Sequence, residues 1–129
     1  MSESHNGFYF RKLDVYSNSK LFAVFIYKLL EKFPIEERFG LCTQMRRDST
    51  SIAINIAEGW GRSTCKEKTR FIDIAHGSLN ETLCELEISL EMGYITKDDF
   101  TMAETQLTII AKQLSSLKKS IIRNSTERQ

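Results

Sequence analysis

Helix breakers are scarce in this chain. One proline and six glycines are spread over 129 residues. That is too few for the closely spaced turns of a sandwich or barrel, and it leaves room for long helices. Long apolar runs are missing as well. The longest, Leu21 to Tyr27, has seven residues and stops at Lys28, well short of the roughly 18 a membrane helix needs. The opening stretch from Met1 to Gly7 is polar and has no signal-peptide core, so a cytoplasmic protein is expected. The cysteines are three, Cys42, Cys65 and Cys84. An odd number without zinc-type spacing fits reduced thiols rather than a disulfide framework. There are two histidines, His5 and His76, whereas the di-metal centre of a helical bundle needs two Glu-x-x-His motifs. Asp73-x-x-His76 is a single half-motif, so no metal and no cofactor is expected. Ser78 lies two residues from His76, a spacing that points side chains apart on a helix. No nucleophile–base pair is evident, and the expectation is a protein without catalytic activity.

What the chain does have is ordinary globular composition and an unusual distribution of charge. Hydrophobic residues make up 41% and charged residues 27%, which argues against disorder. The net charge of +1 hides strong segregation. Residues 1–37 carry five basic and five acidic groups; residues 38–70 carry seven basic and three acidic, net +4. Residues 71–104 carry one basic and eight acidic, net −7, and residues 105–129 five basic and one acidic, net +4. Such segregation bears on partners more than the total does.

Hydrophobic periodicity predicts four helices. The last, about 97–123, is the clearest: Phe100, Ala103, Leu107, Ile110, Leu114, Leu117 and Ile121 recur every three or four residues. Thr96 with Asp98 and Asp99 marks its acidic start. The third, about 64–92, opens on a Thr64/Glu67 capping box and carries a stripe of Phe71, Ala75, Ser78, Leu79, Leu83, Leu86 and Leu90. Gly93 is placed to end it in a left-handed conformation. The second, about 35–58, is expected to start after Pro34, with Leu41, Met45, Ser49, Ile52, Ile56 and Trp60 in one row. The first, about 14–32, is apolar nearly all round, more than one buried stripe requires, which suggests burial against another subunit. Short connections make neighbouring helices antiparallel: an all-α, up-and-down four-helix bundle, one domain over residues 1–129, with an ordered core at about 10–123 and residues 1–12 and 124–129 as loose ends.

One turn stands out for function. In Gly59-Trp60-Gly61-Arg62 two glycines precede a helix N-terminus, whose N–H groups and dipole attract anions such as phosphate. Lys66 and Arg70 follow at four-residue steps on one face, and Trp60 is suited to stacking on a base. Arg46 and Arg47 add a second basic pair. The competing reading is a plain helix–helix turn with a core tryptophan and a solvated basic face. Asn55 and Glu58 read as partners in an internal hydrogen bond or an ion pair with an arginine. Glu81/Glu85 and Glu87/Glu91, at i,i+4, read as a solvated acidic face.

The same residues carry a family resemblance. Gln44-Met45-Arg46-Arg47, Ser51-Ile52 and Asn55-Ile56-Ala57-Glu58-Gly59-Trp60-Gly61-Arg62 resemble the Q-x-R-R, S-I and N-I-A-E-G-x-G-R signature of the four-helix bundle proteins also labelled S23 ribosomal or 23S rRNA-intervening-sequence proteins. The likeness continues through Phe71, Ile74-Ala75, Gly77-Ser78-Leu79 and Glu81, and again at Leu90 and Gly93-Tyr94. Asp48 departs from the small apolar residue usual at its position. The resemblance implies a bacterial-type protein. It also implies kinship with the accessory variability determinant of diversity-generating retroelements, a basic pentameric ring that binds nucleic acid and a reverse transcriptase. By that analogy the chain is a homo-oligomer, a pentamer, with reverse transcriptase as a partner if it is retroelement-associated. The expected function is non-catalytic binding of RNA or DNA through Arg46, Arg47, Arg62, Lys66 and Arg70, with Trp60 stacking. The rival expectation is a protein-interaction scaffold whose charged faces pair between subunits.

Overall fold

A computed structural model describes residues 7–127. Four helices follow one another: α1 (Asp14–Leu30), α2 (Leu41–Trp60), α3 (Cys65–Glu91) and α4 (Lys97–Glu127). There is no strand among the described residues. Consecutive helices pack against one another, and α4 closes back on α1. The result is an antiparallel four-helix bundle.

Phe22, Ile26, Met45, Ile52, Ile56, Leu86, Leu107, Ile110 and Leu114 are fully buried at its centre. Each contributes about 1.5–3 kcal/mol of apolar transfer free energy. The row on α4 follows its predicted periodicity: Ala103, Leu107, Ile110, Leu114 and Ile121 are buried, and Phe100 and Leu117 pack half-buried against the core. Its start is a reciprocal cap, in which the Asp99 N–H donates to Thr96 Oγ1 and the Thr96 N–H to Asp99 Oδ2, both at 3.0 Å. Thr64 caps α3 by accepting from the Glu67 N–H at 3.1 Å. Gly93 ends the next turn at φ +80°, with the Tyr94 N–H donating to the Ser89 carbonyl at 2.9 Å.

Several expectations need correction. Pro34 does not open α2. It precedes a 3-10 turn, Ile35–Glu37, and α2 begins six residues later, after Gly40. Glu37 decides this: its carboxylate accepts from the Leu41 N–H at 3.2 Å and from the Tyr94 hydroxyl at 2.9 Å, which holds the turn against the α3–α4 connection. Residues 9–12 are not loose. Tyr9–Lys12 forms a 3-10 helix, pinned by the edge-to-face contact of Phe10 with Tyr16 at 4.9 Å. The C-terminal helix runs on to Glu127; residues 1–6 and 128–129 of the expected loose ends lie outside the described residues.

The inner face of α3 is also rotated from the expected stripe. Ile72, Thr82, Glu85 and Ser89 are buried alongside Ala75, Ser78, Leu79 and Leu86, while Phe71, Leu83 and Leu90 are half-buried. Small and polar residues let α2 and α3 approach closely: Ser51 and Ser78 share a hydrogen bond at 2.9 Å, and the Ser89 hydroxyl reaches Met45 Sδ at 3.8 Å. Glu85 is thus no part of a solvated face. It is 6% exposed, and burial, with Asp48 beside it, pushes its pKa up to about 9. It keeps its proton and shares a hydrogen bond with Asp48, the residue that departs from the S23-type pattern. Its Oε1 has no hydrogen-bond partner among the described residues.

On α1, the inward residues Val15, Ser19, Phe22, Ala23, Ile26, Leu29 and Leu30 satisfy the core. Leu21, Val24 and Tyr27 remain exposed, Leu21 at 65%, as expected for a helix apolar on more than one side. Among the described residues no helix is long and apolar enough to cross a membrane.

Candidate nucleic-acid interface

The α2–α3 turn brings Trp60, Arg62, Lys66 and Arg70 to one end of the bundle. Phe71 organises them. The Arg62 guanidinium carbon lies 4.8 Å from the centroid of the Phe71 ring and that of Arg70 lies 5.2 Å from it. Both cations are therefore held on one aromatic platform. Sequence reasoning missed this residue's role by placing Phe71 in the core stripe; its position one residue after Arg70 was the available signal. Lys66 lies between them along the chain, exposed and with no ion-pair partner among the described residues.

Arg62 pairs with Glu58 on the surface. The ion pair expected for Glu58 thus forms, but outside the core. The other polar residue, Asn55, donates to the Ser51 carbonyl at 2.8 Å. Arg70 has only a loose contact with Glu67, at 3.9 Å. Such exposed pairs are worth less than about 1 kcal/mol and exchange readily for an incoming phosphate.

Trp60 is half-buried. The Lys68 ammonium sits 5.1 Å from its ring centroid and donates to the Trp60 carbonyl at 2.8 Å. One ring face is thus taken by a cation, so the tryptophan holds the Lys68 charge at the turn and has that face unavailable for stacking.

Arg46 and Arg47 are not part of this cluster. They lie some fourteen residues before Trp60 on α2, about 20 Å along the helix. Because α3 runs antiparallel, that level of α2 faces the acidic end of α3, where Met45 meets Ser89. Arg46 is half-buried and Arg47 exposed. The seven basic groups of residues 38–70 are therefore split between two places.

No group of three or more His, Cys, Asp or Glu side chains among the described residues is arranged to hold a metal ion. Asp73 is engaged by Lys118 at 2.8 Å. Elsewhere the Lys32 ammonium, at 2.7 Å, holds the Asp99 carboxyl below the usual carboxylate range. Tyr94 is raised by its hydrogen bond to Glu37, and the Cys42 thiol by burial. These perturbations belong to helix ends and core, and none adjoins the basic cluster.

Comparison with known proteins gives two findings. The model of a family described as 23S rRNA-intervening sequence protein matches residues 11–116. A crystal structure at 1.70 Å resolution, of a protein with unknown function from the S23 ribosomal protein family of Bacteroides thetaiotaomicron VPI-5482, is 31% identical. It superimposes with a TM-score of 0.73, over 81% of this chain and 98% of that one. No curated protein matches the chain.

Proposed function

Since the chain belongs to the 23S rRNA-intervening sequence protein family, we propose that it is an oligomeric, non-catalytic binder of RNA or DNA. The observation that carries this reading is the pair of guanidinium groups on Phe71 with the exposed Lys66 on the same helix. Fixed, exposed cations at the start of a long helix suit phosphate. Phosphate contacts carry no sequence information, so binding is indifferent to sequence at this cluster.

Changing Arg62, Lys66 and Arg70 together to glutamine should weaken mixed-sequence RNA and DNA alike. Each lost phosphate contact lowers the slope of log K against log salt by roughly 0.7–0.9, so the triple variant should lose roughly 2–3. Fluorescence anisotropy across a salt series measures this. A triple variant that binds like the parent at low salt would make the cluster structural and favour the scaffold reading.

Association is the second half of the proposal. Leu21, Val24 and Tyr27 on α1 lie exposed, as do Met102 and Ile109 on α4, and Leu21 and Ile109 line one groove between these helices. Exposed apolar side chains on two adjacent helices suit a second copy. A ring would repeat the basic cluster once per subunit, so weak contacts sum to useful avidity. Light scattering should report several times the 14.9 kDa of one chain, with five copies as the family resemblance suggests. Leu21→Lys should lower that mass, and a parent that is monomeric at micromolar concentration would refute association.

A further inference from the structure

Gly77 has no reason to be glycine within the monomer. It sits in the middle of α3, where glycine costs about 0.5–1 kcal/mol relative to alanine. A Cβ built there meets nothing within 4 Å. Gly59, by contrast, would drive a Cβ to 2.6 Å from Phe71 Cβ, and Gly93 needs its positive φ. Gly77 opens instead onto a groove of about 370 Å³ between α3 and α4. His76, Asn80, Ser115 and the Lys118–Asp73 pair line it, so its walls offer both donors and acceptors. Asp73 also stands on the rim of a second groove, which is lined by Lys66 and Arg70. The positions 66, 70, 73, 77 and 80 follow helical spacing, so the basic cluster and the polar groove form one track down a single face of α3, about 21 Å long from Lys66 to Asn80.

We propose that this groove takes an unstacked nucleobase of a single strand whose phosphates lie on Lys66 and Arg70. The inference rests on the nucleic-acid reading above and adds the form of the ligand. A flat base needs close approach to the helix backbone, which the missing Cβ at Gly77 provides. The Asn80 amide carries the donor and acceptor that a base edge presents. Lys66, Arg70 and Lys118 outnumber the two carboxylates beside them, Glu67 and Asp73, which complements the charge of the sugar–phosphate chain. A duplex keeps its bases stacked inside and cannot fill the groove.

The test compares a mixed-sequence 12-nucleotide single-stranded RNA with its duplex, using the full chain in its native oligomeric state. The parent should prefer the single strand. Gly77→Leu, which fills the groove without changing charge and raises helix propensity, should weaken single-strand binding at least tenfold while leaving the salt slope unchanged. Asn80→Ala should weaken it less. Lys66→Gln with Arg70→Gln should weaken both forms and lower the slope. A parent that binds duplex as tightly as single strand, or a Gly77→Leu variant that binds like the parent, overturns the inference while the phosphate reading stands. A parent that binds neither form overturns both. A fall in oligomer mass in Gly77→Leu would assign the face to contact between copies and overturn the inference. Gly77→Ala should melt above the parent, which separates lost binding from lost folding.

Discussion

Replacing Glu85 by glutamine should stabilise the protein by about 1–3 kcal/mol at pH 8 and flatten its stability between pH 5 and 8. Burial and Asp48 raise the carboxyl from 4.5 to about 9 in the folded protein. Between those values the native state holds a proton that the unfolded chain has released. The stability contributed by this group is therefore complete below about pH 4.5 and is lost as pH rises toward 9, at up to about 1.4 kcal/mol per pH unit. Asp99 acts in the opposite sense and only in acid, since its carboxyl is lowered from 3.8. Cys42 and Tyr94 are raised from 9.0 and 10.0 and enter above this window. Glutamine keeps a donor toward Asp48 and needs no proton. Urea melts of parent and variant at pH 5, 6.5 and 8 decide the matter. Equal stability of the two at pH 8 would mean that Glu85 is ionised in the native protein.

The second large effect is at Gly59. Alanine there places Cβ 2.6 Å from Phe71 Cβ and 3.3 Å from the Lys68 carbonyl oxygen. Both obstacles are fixed to the backbone of α3, so no rotamer change relieves them and the two helices must part. Overpacking of this kind costs about 1–3 kcal/mol, and it outweighs the roughly 1 kcal/mol that alanine gains in a helix. Thermal unfolding followed by circular dichroism should show a fall of up to about 8 °C. Moving Phe71 also moves the platform under Arg62 and Arg70, so the proposed nucleic-acid binding should weaken in step. A melting point at or above the parent's would mean that α2 and α3 slide apart freely.

The bundle was legible because its strongest signals are local. Thr64, Thr96 and Gly93 do what cap residues do wherever they stand, and the row from Ala103 to Ile121 needs only one helix to be seen. Where the reading failed, the cause was distant in sequence. Pro34 suits a helix start, but the Glu37–Tyr94 hydrogen bond, which joins residues 57 positions apart, holds the residues after it in a 3-10 segment. Glu85 resembles any surface carboxylate until Asp48 is known to face it across the α2–α3 seam. Its place in the row Ser78, Thr82, Glu85, Ser89 was the only local hint. The candidate site divides the same way. Arg62, Lys66 and Arg70 share a helix face by spacing alone, whereas their distance from Arg46 and Arg47 follows from helix length and direction. The groove beside Gly77 needs α4 as its second wall, and no pattern within α3 reveals it.

The α1–α4 seam differs in kind from the other three. Those join consecutive helices across connections of four to ten residues, and such hairpins close quickly. The Asn18–Gln113 hydrogen bond, at 3.0 Å, links residues 95 positions apart, so this seam closes nearly the whole chain and meets the largest loop entropy. It is the last contact expected to form during folding. The apolar face shared by Leu21 and Ile109 exists only once it has formed. The association proposed for that face would thus be gated by completion of the monomer: half-folded chains, fresh from the ribosome, do not yet possess the surface by which finished ones would find each other.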